Sequence, residues 1–173
     1  MHSLVFTVIS AAAEAAGLPE GRVFDLAKKD NLTQPRPRIE VQFLPEKLSR
    51  TGRILAVSRN SEEQTRKKEL YDAELLVVAN VLAEDEAWLG DFCYAFLAAL
   101  PRGVNDSRGN WVRIRAAKAE FGRKTPPRVG TQSIEVFTKV NQLISLTFTY
   151  RITSEEREDL IQTITIHHPL FGG

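Results

Sequence analysis

The chain has 173 residues, 43% of them hydrophobic, which is enough for a single domain to bury one sizeable core. Its 23 basic and 22 acidic side chains leave a net charge of +1, and this argues against a general nucleic-acid binder. The single cysteine excludes an internal disulfide and favours a reducing compartment. No apolar run reaches the roughly 18 residues that cross a bilayer, so we expect no membrane partner.

The first predicted elements are a helix and a half-buried strand. The N-terminal stretch is apolar and alanine-rich, but it lacks the basic residues of a signal peptide and contains Glu14. Gly17 is a natural helix stop, so we predict a helix over Ser3–Ala16. Further on, apolar and polar residues alternate over Arg38–Phe43, which is typical of a strand with one buried face.

A weaker strand is predicted over Arg53–Arg59, and a polar segment, residues 58–69, follows it without any large apolar side chain. The segment is either a solvated loop or a mobile arm that becomes ordered on a partner surface, and the sequence does not separate the two. The charged residues of this candidate arm are Arg59, Glu62, Glu63, Arg66, Lys67 and Lys68.

The clearest unit of the sequence is a buried strand that leads into an aromatic-rich helix. Leu75–Val81 is apolar on both faces apart from Asn80, as expected of a strand that is covered on both sides. Three carboxylates then favour a helix start, and an apolar stripe runs over Trp88–Leu100 until Pro101 ends the helix. The unit contains no obvious nucleophile or base.

A connection rich in glycine and polar residues precedes a strand that begins at Trp111. Trp111, Arg113 and Arg115 share one side of this strand, within a locally basic region that forms either a solvated face or a surface for phosphate or an acidic partner. A hairpin is predicted next, with a turn near Asn141 and a strand through Ile152.

The C-terminal residues differ from the rest of the chain. Residues 154–159 are charged and are predicted to be a spacer, and an apolar, β-branched segment follows. This segment can fold back on its own sheet or add a strand to the sheet of another subunit. Its candidate interface residues, which join Trp111, Arg113 and Arg115 as possible subunit or tube contacts, are Leu160, Ile161, Ile164 and Ile166.

The element order predicts an α+β fold: a twisted, mainly antiparallel sheet with two helices packed on one face, plus an extended C-terminal segment. We expect residues 1–153 to form a single domain and residues 154–173 to form a C-terminal extension.

The residue types that carry catalysis are sparse. The three histidines are His2 and the adjacent pair His167 and His168, which a strand would direct to opposite faces. Cys93 lies within the apolar stripe of its helix, as a packing residue does. We therefore expect no catalytic, metal or cofactor site, and we predict that the protein is not an enzyme.

In element order the chain resembles the tail terminator proteins of tailed bacteriophages, the lambda-like group and related neck proteins. The resemblance covers roughly Ser3 to Thr153, and the tail after Ser154 departs from the short C-terminus of the lambda-like members. Besides the N-terminal helix, it is carried by the Pro37–Val41 strand, the Tyr71–Val78 strand, the Trp88–Leu100 helix with its proline stop, and the Leu146–Ile152 strand.

This resemblance implies a structural virion protein of the tail neck, assembled in the host cytoplasm. The protein would form a homo-oligomeric ring, typically a hexamer, that caps the tail tube, ends tube polymerisation and joins the head–tail connector. DNA would pass through the ring without sequence-specific binding. The alternatives are another head–tail connector or neck completion protein, and a monomeric α+β binding module.

Overall fold

The computed structural model describes residues 1–26, 35–60, 63–123 and 140–159, where the chain forms two helices and seven strands. In chain order these elements are α1 (His2–Ala15), β1 (Val23–Asp25), β2 (Arg38–Phe43), β3 (Lys47–Arg59), β4 (Glu63–Ala83), α2 (Glu86–Ala99), β5 (Gly103–Asn105), β6 (Trp111–Arg123) and β7 (Val140–Asp159).

The strands are ordered β1-β2-β4-β7-β6-β5, and β3 pairs with β4 outside this path. The pairs β2–β4, β5–β6 and β6–β7 are antiparallel, whereas β1 runs parallel to β2. The described part of the protein is thus mostly sheet with two helices, and the sheet is mainly antiparallel, as predicted. That both helices lie on one face of the sheet stays a prediction.

Local sequence determines where the two helices begin and end. After α1, Gly17 adopts φ +98°, and the amide of Leu18 donates to the carbonyl of Ala13, which closes the helix in the predicted place. At the start of α2, the Asp85 carboxylate accepts from the backbone amide of Trp88 at 2.7 Å. The two helices pack against each other, and α1 also packs against β1.

The chain divides into two compact units. The first unit comprises Met1–Leu48 and Ala73–Tyr150. The second comprises Ser49–Asp72 and Arg151–Gly173, of which residues 160–173 lie outside the described part. The strands β4 and β7 each contribute residues to both units.

The first unit contains the hydrophobic core. Alternate residues of β4 and β7 are buried, so one face of each strand is removed from water. The core is completed by apolar side chains of both helices. Its largest fully buried members are Phe96, Phe148, Ile9, Ile39, Leu75, Leu89, Ile144 and Leu146.

The opposite face of β4 is half-buried, and a polar chain crosses it. The Nδ2 of Asn141 on β7 donates to the Oδ1 of Asn80 on β4 at 3.0 Å. Asn80 in turn donates to Glu40 of β2 at 3.4 Å, and Glu40 forms an ion pair with Arg38 at 2.7 Å. Asn80, the one polar residue in an apolar run, therefore has partners on both neighbouring strands.

Three local predictions are wrong. Asn141 lies within β7, paired with Gly122 of β6, and not in a turn. The charged residues 154–159 continue β7 and do not form a spacer. Gly103–Asn105, predicted as part of a connection, forms the short strand β5, because pairing with the start of β6 stabilises an extended backbone there.

Candidate assembly surfaces

The residues of the candidate mobile arm lie, where they are described, in a β-hairpin. Arg59 ends β3, Glu63 begins β4, and Arg66, Lys67 and Lys68 follow in β4, while Glu62 lies outside the described residues. Ion pairs join Arg66 to Glu158 at 3.3 Å and Lys68 to Glu156 on the second half of β7. The prediction of a solvated loop is wrong for residues 63–69, because strand pairing between polar residues leaves no apolar alternation in the sequence. That the segment acts as an arm on a partner surface stays a prediction.

The described residues of the second unit form almost no core. Among its described residues no apolar side chain is buried, and Glu69 is the only buried residue of any type. Its exposed apolar side chains include Ile54, Val57 and Leu70, with exposed fractions of 53%, 54% and 37%. Exposed apolar side chains that lie close together on strands mark a surface where another part of a protein can bind.

The one buried side chain among the described residues of the second unit is charged. Glu69 is completely buried, and its Oε2 lies 3.1 Å from the Nε of Arg151, which is half-exposed. Neither carboxylate oxygen accepts a hydrogen bond with good geometry within the described residues. The pair therefore holds a buried negative charge by Coulomb attraction to a partly hydrated guanidinium.

Strand β3 carries positive charge only. All of its residues are exposed except Leu55, which is half-exposed, and its charged side chains are Lys47, Arg50, Arg53 and Arg59. Within the described residues β3 pairs only with β4, and no described strand lies at its other edge. Basic side chains on such an edge discourage indiscriminate strand addition and restrict pairing to a chosen partner.

Trp111, at the start of β6, forms an aromatic platform beside the short strand β5. A Cβ atom added to Gly103 on β5 would lie 2.5 Å from Cε2 of the indole, so the ring lies directly on the glycine backbone. The indole is nevertheless 57% exposed. Glycine at position 103 thus allows the ring to lie close to the strand with much of its surface in water.

Arg113 and Arg115 share the exposed side of β6 with Trp111, as predicted, whereas Val112 and Ile114 are buried. They lie opposite Thr149 and Thr147 of β7. In the described part of the chain, neither guanidinium has a carboxylate within ion-pair distance, and the nearby Lys118 is paired with Glu120. The platform of Trp111, Arg113 and Arg115 therefore presents an aromatic ring beside two unneutralised positive charges.

The turn before β6 is held by one carboxylate. Asp106 accepts hydrogen bonds from the backbone amides of Arg108 and Asn110, at 2.9 and 2.8 Å, and from the Asn110 side chain. Burial raises the pKa of Asp106, but these hydrogen bonds and the charge of Arg108 outweigh it, so the pKa lies below its usual range. Asp106 thereby fixes the start of β6 and, with it, Trp111.

A cleft of about 550 Å³ lies in the first unit between α1, β1 and the end of β2. His2 stacks on Phe43 at one side, with ring centroids 4.3 Å apart, and Phe6, Phe24 and Asp25 complete the main lining. This mixture of aromatic and polar side chains is of the kind that small-molecule sites use.

The described residues offer little for covalent or metal chemistry. Burial raises the pKa of the Cys93 thiol to about 11, which suppresses the reactive thiolate. Within the described ranges no group of three or more His, Cys, Asp or Glu side chains is arranged to hold a metal ion. Of the helices described, none combines the length and apolarity needed to cross a membrane.

The candidate interface residues Leu160, Ile161, Ile164 and Ile166 lie outside the described residues. Three features were not predicted from the sequence: the burial of Glu69, the contact of the Trp111 ring with Gly103 and the exposure of Tyr94 on α2. Only Tyr94 had a usable signal, because it is an aromatic residue that falls outside the apolar stripe of its helix.

No protein-family model and no curated protein matches the chain. Among solved structures, the virion of a native gene transfer agent (GTA) particle contains a similar chain, with 16% sequence identity over 84% of this chain and 86% of the other. The TM-score is 0.32. Since a score this low does not show a shared fold, we draw no function from this likeness.

Proposed function

We propose that the protein is a structural component of a phage-like virion. It forms a ring, a hexamer by analogy with tail terminators, that caps the tail tube, ends tube polymerisation and provides the surface that joins the tail to the head. Its partners are further copies of itself, the tail tube protein and the head–tail connector protein. DNA passes through the centre of the ring, and no cofactor is needed because the protein acts by shape.

The observation that supports this proposal is that the described residues of the second unit bury no apolar side chain. Strands whose apolar side chains stay exposed, such as Ile54 and Val57, gain stability when another molecule covers them. A ring or a tube end supplies such a cover, whereas a monomer working alone in solution does not. The resemblance of residues 3–153 to tail terminators indicates which assembly this is.

The charge distribution fits the same assembly. The net charge of +1 suits a conduit, because a strongly positive protein would retain DNA through counterion release. The basic edge of β3 concentrates positive charge where strand pairing between subunits must be selective.

Electron microscopy of tails assembled with and without the protein tests the proposal. With the protein we expect tubes of defined length with a capped end, and without it we expect tubes of uncontrolled length. Replacing Ile54 and Val57 with Glu should abolish capping and leave the core of the first unit folded. The control is Leu26→Glu, at an exposed apolar position in the first unit, which should cap normally. Tubes of equal length in all samples would contradict the proposal.

The cleft beside His2 favours a second candidate, a monomeric α+β binding module. That function predicts a stable monomer that binds a small ligand in the cleft and leaves tube length unchanged. A neck completion protein, by contrast, would also act in the assembled particle but would bind the connector and not the tube end. Sedimentation velocity of the protein alone, followed by binding to purified tubes and to purified connectors, separates the three.

A further inference from the structure

We infer that one copy uses the Trp111–Arg113–Arg115 platform to bind the outer face of α2 on the next copy. This inference rests on the proposed ring and names the two surfaces that close it. The first surface is an exposed indole supported by Gly103, with two guanidiniums that lack carboxylate partners among the described residues. Tryptophan and arginine in such an arrangement are the residue types that dominate binding energy at protein interfaces.

The second surface is acidic and also aromatic. Tyr94 is 81% exposed, the highest value among the exposed large hydrophobic residues of the described chain. Glu86 and Asp91 are exposed on the same helix, and α2 contains no basic residue. At about 100° of rotation per residue, Tyr94 lies roughly 80° from Glu86 and roughly 60° from Asp91, between the two carboxylates.

The charges of these surfaces indicate that the partner is a second copy. A closed ring requires two different patches on each subunit, one for each neighbour. Here one patch carries two positive charges beside an indole, and the other carries two negative charges beside a phenol ring, so the two are complementary. The phosphates of a nucleic acid would be attracted by the positive charges of the first patch but repelled by the negative charges of the second.

Both patches lie in the first unit, which contains the hydrophobic core. Their exposure also excludes a contact between them within one copy, because both aromatic rings would then be covered. The surfaces are therefore held by packed elements and are available to a neighbouring subunit.

A charge-swap experiment tests the contact. One variant carries Arg113→Glu and Arg115→Glu, and a second carries Glu86→Arg and Asp91→Arg. Each variant alone opposes like charges, so its self-association should weaken at least tenfold, whereas an equal mixture restores attraction at every contact and should associate as the original protein does. A chain with all four substitutions should also associate, which shows that none of them unfolds the protein. Glu14→Arg with Glu20→Arg reverses the same number of carboxylates at other exposed positions and should have no effect.

Sedimentation equilibrium at low salt measures the self-association of each variant in solution. Electron microscopy of tube ends measures whether the same variants cap tubes. Capped tubes with either two-site variant alone would overturn the contact and leave the proposed function intact. An original chain that neither associates nor caps tubes would overturn both. If Arg113→Glu with Arg115→Glu lowers binding to a DNA duplex but leaves self-association unchanged, the platform binds a polyanion and the inference fails.

Discussion

Trp111 lies on the backbone of Gly103, in the position that any side chain at residue 103 would occupy. The two residues belong to paired strands, since Gly103 is opposite Arg113 and Asn105 is opposite Trp111. An aromatic ring that covers a glycine on the neighbouring strand protects the backbone there and stabilises the strand register. The same contact holds the indole in place while its other face stays exposed to water.

Replacing Gly103 with Ala should displace this indole. The new methyl group would collide with both the ring and the carbonyl of Val112, so we expect the free energy of unfolding to fall by about 1–3 kcal/mol, as in other overpacked sites. Thermal or urea denaturation measures the change. Gly90→Ala is the matched control. Residue 90 lies within α2 and nothing lies near its Cβ position, so alanine there should raise the free energy of unfolding by about 0.5–1 kcal/mol. Equal effects of the two substitutions would contradict the contact.

The sequence predicted those elements that bury one face. Alternation located Arg38–Phe43, and the apolar stripe with its flanking signals located both helices. It did not predict that residues 63–69 and 154–159 are strands, because the described residues of the second unit bury no apolar side chain and their sequence therefore shows no apolar alternation. The strands β1 and β5 have three residues each, which is too short to show an alternation, and they are extended because they pair with β2 and β6.

The candidate site was predicted only in part for a similar reason. The exposed side of Trp111, Arg113 and Arg115 follows from the period of a strand, and the structure agrees. The contact between the indole and Gly103 could not be predicted, because it depends on how closely two paired strands approach each other and no residue spacing in the sequence shows this. The burial of the Glu69 carboxylate could not be predicted either, because its neighbours in the sequence are charged and a segment of that composition is expected to be exposed to water.

Arg151→Ala should destabilise the second unit more than removal of its partner does. Without Arg151 the buried Glu69 carboxylate loses its nearest positive charge, and we expect a loss of about 1–3 kcal/mol. Glu69→Leu removes the buried charge itself and should be close to neutral or stabilising. Amide exchange of residues 63–69 measures the stability of these strands for each variant. If Glu69→Leu lowered the stability of these strands more than Arg151→Ala does, the carboxylate would have a further stabilising partner.

The turn held by Asp106 should open in acid. Its pKa in the folded protein lies below the ordinary value, so its contribution to stability is complete above the ordinary carboxyl pKa of about 3.9 and is lost as the pH falls through the lower folded value. The protection factors of the Arg108 and Asn110 amides, which compare their exchange with that of an unstructured peptide at the same pH, should therefore fall at low pH, before the core of the first unit unfolds. In Asp106→Ala, exchange at these amides should be fast already at neutral pH and should lose this acid dependence. Protection at Arg108 and Asn110 that persists unchanged in Asp106→Ala would contradict the role of this carboxylate.

Cys93 should be almost unreactive while the protein is folded. It is buried on α2 beside Phe92 and Phe96, and burial raises its thiol pKa to about 11. Because the thiolate is the reactive form, labelling by a disulfide reagent at pH 8 should be at least ~100-fold slower than in denaturant, where the thiol recovers a pKa of about 8.5. An exposed comparison is Ser107→Cys in a Cys93→Ala background, which should react rapidly in the folded state. Equal labelling rates at the two positions would mean that α2 separates readily from the core, and the rigid acidic surface inferred for this helix would then lose its basis.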